Sequence, residues 1–455
     1  MVFHRSKLLA LLSTNNFSNM KNLITFLLSC ISLTAVIGQV VNETRVTVLS
    51  KSPAETVLRL SLTGADKQAV ATPKGEAFVI SMPEGTPLLE AGAPDVPKFA
   101  TALMIPETGN MAIEILGSEF QDFPNIEIAP SKGDIKRNID PVTVPYKYGD
   151  VYQQDAFFPG QLAELKQPFI MRDARGQALW IYPVQYNPVS KTMRVYTKIT
   201  LRVHHVGGQG ENELVPANRH RSLAFEQMYK KAFMNFDDNI QSRSASDPEK
   251  MLVIAKDEFL ADLEPLVAWK RQMGIHTTVV PISEIGSNEA SDIHNFVKNY
   301  YQQNSITYLL LIGDEDAIKS EMRPSGGTLY TCDNCFGYME GDDHFNEILV
   351  GRFHASNVEQ LKIMVNRNLD YEKTPLVDPT ENWCATGMAS CSNEGAGFGD
   401  DGQADWEHGN EWKINHLADG YEKYWEFYDG THNDDPPPPG DVTADKPGNP
   451  VNTQL

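Results

Sequence analysis

The 455-residue chain is short of positive charge. Its 39 Lys and Arg stand against 60 Asp and Glu, a formal net charge of -21. With no basic field to gather phosphates, nucleic acid is excluded as the expected partner. An acidic surface suits a soluble exported protein, or one that collects divalent cations. Beyond the first 38 residues no apolar run reaches the roughly 18 residues a membrane span requires, so no membrane span is expected in the mature chain. Cysteine is scarce, with 5 in all. The Cys332-Asp333-Asn334-Cys335 pair lacks a second pair at finger-like spacing, which counts against a zinc finger. The stretch 431–455, with its run Pro436–Pro439, lacks any periodic apolar face and is expected to be an irregular tail.

A targeting segment is present near the start. Lys21 precedes the apolar runs Leu23–Leu28 and Ile31–Ile37, with Val36 and Gly38 as small cleavage-site residues. Residues 20–38 are therefore expected to be a signal peptide starting at Met20, and the protein to be secreted. Cys30 follows Leu27-Leu28-Ser29, but the apolar stretch continues past it, unlike a lipoprotein signal. Export places Cys332, Cys335, Cys384 and Cys391 in a disulfide-permissive compartment, and their spacing leaves three pairings open.

The length implies two or three folded units. Up to about Val206 the pattern is short alternating or apolar runs broken by Gly, Pro and Asn: Thr56–Leu62, Ala77–Met82, Ala100–Ile105, Ala178–Tyr186 and Met193–Val206. This predicts a β-sandwich. A helix is predicted over Ser222–Phe236, and the polar segment Asp237–Lys250 reads as a linker open to proteolytic nicking at Arg243. The rhythm then changes. Strands at Met251–Ala255, Thr277–Ile282, Tyr308–Ile312, Ile348–Phe353 and about Cys384–Ala389 alternate with helices, which predicts a largely parallel α/β sheet. The last helix before Cys384 is expected to open on the capping box Ser356-Asn357-Val358-Glu359. In such sheets ligands gather beyond the carboxyl ends of the strands, here the loops after Ile312 and Ala389.

Those loops are rich in oxygen ligands. Asp314 follows one strand, and Asp343 and Glu347 flank the next within Gly341-Asp342-Asp343-His344-Phe345-Asn346-Glu347. Calcium takes about six to eight oxygens of this kind, although the spacing is not that of an EF-hand. A second acidic cluster, Asp400-Asp401-Gly402-Gln403-Ala404-Asp405, leads to His408, which either ligates a metal or sits at a helix start. Cys391 at a strand end, with His344 or His408 as base, offers a thiol nucleophile; a buried or disulfide-bonded cysteine is the plainer reading.

Several stretches together resemble the gingipain-type C25 cysteine peptidases. They are Tyr308-Leu309-Leu310-Leu311-Ile312-Gly313-Asp314, the run from Gly341 through Phe353, Trp269-Lys270 with Gly274, and Gly92-Ala93-Pro94-Asp95-Val96-Pro97 upstream. The resemblance covers about residues 45–430. It implies a β-sandwich propeptide (39–243) followed by an incomplete α/β caspase-like peptidase domain (250–430), made as a secreted zymogen that acts on protein or peptide substrates after Arg or Lys. It further implies that the propeptide docks on its own catalytic domain. Asp314, Asp343 and Glu347, with the carbonyls of Glu340 and Phe345, would form a structural calcium site. His408, with Asp400, Asp401 or Asp405, falls at a second, and Glu394 falls where the family orients its catalytic histidine. The family's Gly-His-Gly motif occurs nowhere in the chain, so this polypeptide is expected to be inactive by itself. The alternative is a non-catalytic binding or inhibitory protein built on the propeptide-like sandwich.

Overall fold

The computed structural model describes residues 43–135, 139, 141–214, 222–236, 248–325, 328–374, 385–391, 405–428 and 444–446. Two antiparallel sheets build the N-terminal half. One holds β1 (Thr44–Ser52), β2 (Glu55–Leu62), β7 (Asn110–Phe123), β10 (Val184–Asn187) and β11 (Thr192–Gly207), with β11 pairing to β2, β7 and β10. The other runs in the order β5 (Thr86–Pro87), β6 (Pro97–Ile105), β9 (Ala174–Ile181), β8 (Ala163–Met171), and β3 (Asp66–Thr72) forms a hairpin with β4 (Gly75–Ser81).

Alternation explains the core. Along β2, Leu58, Leu60 and Leu62 are buried while their neighbours are only partly covered. They share one apolar cluster with Ile199, Leu201 and Val203 of β11, Leu103 and Ile105 of β6, and Leu179 and Ile181 of β9. Side chains of a strand alternate faces, so each sheet gives one face to this common core. Strand β7 was not predicted, because most of its residues are exposed and its apolar signal is weak. It is held by pairing with β11 and by ion pairs across it, Arg194 to Asp122 at 2.7 Å and Lys198 to Glu119 at 2.6 Å.

Helix α1 (Leu223–Ala232) follows, with Ser222 as N-cap accepting from the Phe225 N–H. The C-terminal half then forms a parallel sheet in the order β13 (His276–Pro281), β12 (Lys250–Ala255), β14 (Tyr308–Ile312), β17 (Leu349–Phe353). Both faces are covered. Leu252 and Ile254 of β12 pack with Ile293, Val297 and Tyr301 of α4 (Ala290–Asn304), beyond the one-turn α3 (Ile282–Ile285). Met251, Val253 and Ala255 pack instead with Leu263, Leu266 and Val267 of α2 (Leu260–Gln272) and with Leu361, Val365 and Leu369 of α5 (Val358–Lys373). Burial on both faces is why β12 and β14 are near-continuous apolar runs in sequence.

Two expectations need correction. The cap of α5 is Asn357, not Ser356: the Asn357 side chain accepts from Gln360 N at 3.0 Å, and the Gln360 side chain reaches back to Ser356 N at 2.8 Å. The fifth strand, β18 (Thr386–Cys391), does not extend the four-stranded sheet among the described residues. It pairs in parallel with β19 (Lys423–Tyr428), which pairs with β20 (Ala444–Lys446), and α6 (Asp405–Ala418) supplies the crossover that a parallel pair requires. An unpredicted hairpin, β15 (Glu321–Ser325) with β16 (Thr328–Cys332), precedes a loop closed by the Cys332–Cys335 disulfide.

The Gly92–Pro97 stretch is buried in the N-terminal half. Gly92 has φ +82 and its carbonyl accepts from Gly149 N at 2.9 Å, so close that a Cβ would press on Gly149. Asp95 beside it carries a carboxylate oxygen without a partner, and burial pushes its pKa up to about 6. A carboxyl whose folded pKa exceeds its unfolded value of 3.8 favours the folded state when protonated. Its contribution is complete below about pH 3.8 and is lost as pH rises through about 6. At about 1.4 kcal/mol per pKa unit, the cost at neutral pH is on the order of 3 kcal/mol at most. Asp95→Asn is expected to raise the melting temperature at pH 7.5, with a gain that shrinks steadily toward pH 4. A gain independent of pH would contradict this account.

Candidate functional site: a loop with two neighbouring carboxylates

The polarity of the parallel sheet decides which acidic residues meet. Tyr308 of β14 lies beside Leu349 of β17 and Ile312 beside Phe353. Asp314 therefore lies beyond the carboxyl ends, whereas Asp343 and Glu347, which precede β17, belong to the amino ends. Five-residue strands rising about 3.3 Å per residue separate the two ends by on the order of 15 Å. The expected three-carboxylate convergence is not found. Among the described residues no three His, Cys, Asp or Glu side chains share a point where they would hold a metal ion. Asp314 instead organises its own turn, accepting from Ala317 N at 3.3 Å. A hydrogen bond from Ser356 leads the interactions that hold its pKa below the usual carboxylate value.

Asp343 and Glu347 do come together. Glu347 is fully buried. Its Oε2 accepts from Met339 N at 2.7 Å and Glu340 N at 3.1 Å, while its Oε1 has no partner. Burial pushes its pKa up to about 8, and the neighbouring Asp343 carboxylate adds to the rise. Asp343 accepts from Phe345 N at 2.9 Å through Oδ1 and from Ile170 N at 2.8 Å through Oδ2, and burial raises its pKa as well. A buried carboxylate with an oxygen left over and a half-buried one beside it form an arrangement that a hard cation would relieve.

The loop that carries them is tightly held. Its disulfide closes a short turn in which Phe336 is fully buried. Asn346 donates to Asn334 O at 2.8 Å, and Glu347 N donates to Gly337 O at 3.0 Å. Arg352 on β17 donates to Asp333 at 2.6 and 2.7 Å and to the carbonyls of Gly313 and Ile318, both at 2.9 Å, which fastens this loop to the turn after β14. His294 bonds Glu321 through Nδ1 and lies 3.0 Å from Tyr338 O through Nε2.

Sequence reasoning missed Arg172. It lies between β8 and β9, where charged residues ordinarily face water, yet only 2 % of it is exposed. Its guanidinium donates to Ile306 O at 2.7 Å, Glu347 O at 2.9 Å and Ser305 O at 3.1 Å. The N-terminal half thus inserts a charge against the loop holding both carboxylates. Its only sequence signal is the Arg172-Asp173 turn between two apolar runs.

Among the described residues, the other predicted ones do not assemble into a catalytic group. Cys391 is buried at the end of β18 with Ala389, Tyr421 and Tyr424. The His344 ring faces Tyr338 and the His408 ring faces Trp412. Asp405 and His408 fall in the first turn of α6. Arg243, Glu394, Asp400, Asp401, Cys384 and the side chain of Asp405 lie outside the described residues.

Residues 39–243 match the C25 propeptide family, and residues 244–434 match peptidase family C25. The chain is 38% identical to gingipain R1 of Porphyromonas gingivalis over 368 residues, which is 79% of this chain and 36% of that protein. It is 26% identical to Lys-gingipain HG66 of the same organism over 351 residues, 74% of this chain and 20% of that one. A solved complex of Porphyromonas gingivalis RgpB pro- and mature domains aligns at TM-score 0.40 and 38% identity, covering 42% of this chain and 98% of that one. The chain spans about a third of the length of gingipain R1. On these grounds it belongs to peptidase family C25, as a gingipain-type cysteine peptidase sequence with the family's propeptide ahead of its peptidase segment.

Proposed function

We propose that this chain is the propeptide and leading peptidase segment of a secreted zymogen, that of a calcium-stabilised gingipain-type cysteine endopeptidase. The propeptide, a β-sandwich of the two antiparallel sheets, docks on a caspase-like α/β domain. The observation that carries this reading is the insertion of Arg172 and Ile170 from the propeptide-matching part against the Asp343–Glu347 loop of the peptidase-matching part. Cleavage after Arg rather than Lys follows from the higher identity to gingipain R1 than to Lys-gingipain. Peptides and proteins with accessible Arg are the substrates.

Calcium is held by Glu347 and Asp343 with the main-chain carbonyls of Glu340 and Phe345, a set made only of oxygens. The orphaned Glu347 Oε1 is the feature that fits a cation. A bound ion would supply charge compensation for the buried Glu347 carboxyl and the half-buried Asp343 beside it. A second cation belongs with Asp400, Asp405 and His408. Glu394 would orient the histidine of the catalytic dyad, which these 455 residues do not supply in the family's Gly-His-Gly form.

Three outcomes test this reading. The 455-residue polypeptide alone is expected to show no hydrolysis of Arg- or Lys-containing peptide substrates above background, with reductant and calcium present. Turnover abolished by Cys391→Ala would place the nucleophile within this chain and refute that. Calcium at about a hundred times its dissociation constant should add about 3 kcal/mol to stability, seen as a melting-temperature rise of several degrees that chelation reverses. Asp343→Asn should remove most of that increment, and a variant that keeps it counts against the site. Limited trypsin digestion should cut first after Arg243 in the linker, with the two fragments co-eluting on gel filtration. First cleavage inside Thr56–Val206 would refute the domain boundary.

A further inference from the structure

The tip of the β8–β9 hairpin departs from what local chemistry favours. Arg172 is the first of two turn residues and has φ +56, a position usually given to glycine or asparagine. Its side chain carries a charge, yet it is buried. A guanidinium is a rigid fork of donors, and here it meets three carbonyls of the peptidase segment: Ser305, Ile306 and Glu347. The rings of Phe225 from α1 and Tyr301 from α4 lie 5.2 and 5.9 Å from it. Such a site accepts a planar cation on a hairpin tip and little else.

The same hairpin touches the carboxylate loop at two further points, and Asn212, beyond β11, adds a third contact beside it. Ile170 N donates to Asp343, the Phe169 ring stacks on Phe345 at 3.9 Å, and Asn212, which donates to Pro168 O, accepts from Asp342 N at 2.9 Å. Every one of these contacts is made to the segment 342–347, which includes the proposed cation ligands Asp343, Phe345 and Glu347. Ile170 N fixes the Asp343 carboxylate without using all of its lone pairs, which is the part an outer-shell donor plays around a metal.

We propose that the Pro168–Ala174 hairpin is a latch whose docking and cation binding at Asp343 and Glu347 reinforce each other. The inference rests on the cation reading given above. The coupling is reciprocal, so a cation that orders the loop tightens the latch, and a docked latch tightens the cation. After the linker is cut, the propeptide therefore stays on the peptidase segment while calcium is bound and leaves when it is removed.

Calcium titration of the full chain by calorimetry, with circular dichroism as a check on folding, separates the possibilities. Arg172→Ala is expected to weaken calcium binding about tenfold, the scale of losing an outer-shell partner, and Arg172→Lys to weaken it less. Asn212→Gly, which tolerates the left-handed backbone there, removes a latch contact outside the core and should act in the same direction. On gel filtration of trypsin-nicked protein, wild-type fragments should co-elute in calcium and separate in chelator, whereas Arg172→Ala fragments separate in both. Failure of the wild type to bind calcium would overturn the cation reading beneath the proposal. Binding by wild type that Arg172→Ala and Asn212→Gly leave unchanged, or strengthen, would overturn the coupling alone.

Discussion

Arg172 carries its charge into a place with almost no water, and the junction of the two halves is arranged to satisfy it. A buried guanidinium left without acceptors would cost several kcal/mol, more than most single contacts contribute. The three carbonyls that answer it come from the end of α4, the start of β14 and the approach to β17. One of them belongs to Glu347, whose own carboxyl group is buried as completely. Glu249 makes a second tie of similar character. Its carboxylate accepts from Ser222 Oγ at 3.0 Å and Leu223 N at 2.7 Å at the start of α1, and from Thr307 beside β14. A negative group at a helix N-terminus is favourably placed. Apolar packing of Phe169, Met171, Phe225, Tyr229 and Phe233 then closes the junction around these polar ties.

What could be read from the sequence follows burial pattern closely. Strands β2, β11, β12 and β14 were legible because their side chains either alternate or are covered on both faces. Strand β7 was not, since its stability comes from its partner strand and from cross-strand ion pairs that no one-dimensional pattern records. The α5 start was legible to within one residue, as two adjacent polar side chains compete for the cap and only backbone geometry chooses Asn357. The pairing of β18 with β19 was not legible, because apolar content says nothing about which neighbour a strand takes.

The site was legible in part. Glu347 and Asp343 were singled out because acidic residues near an apolar strand are conspicuous. Asp314 was grouped with them for the same reason, and strand direction shows why the grouping fails: neighbours in a sequence pattern sit at opposite ends of parallel strands. Arg172 was invisible because burial of a turn residue is decided wholly by a surface more than a hundred residues further along the chain.

The same polarity sets the hairpin's contacts apart from the end of the sheet where ligands gather. In sheets of this kind chemistry gathers beyond the carboxyl ends of the strands. Here those ends are marked by Gly313 and Asp314 after β14 and by His354 after β17. The hairpin grips the amino ends, at Ser305, Ile306 and the residues before Leu349. Contacts there hold the propeptide without entering the crevice at the other end. The contacts at this end are thereby made by the hairpin and the carboxylate loop. The carboxyl ends of β14 and β17 lie a strand length of about 15 Å from these contacts.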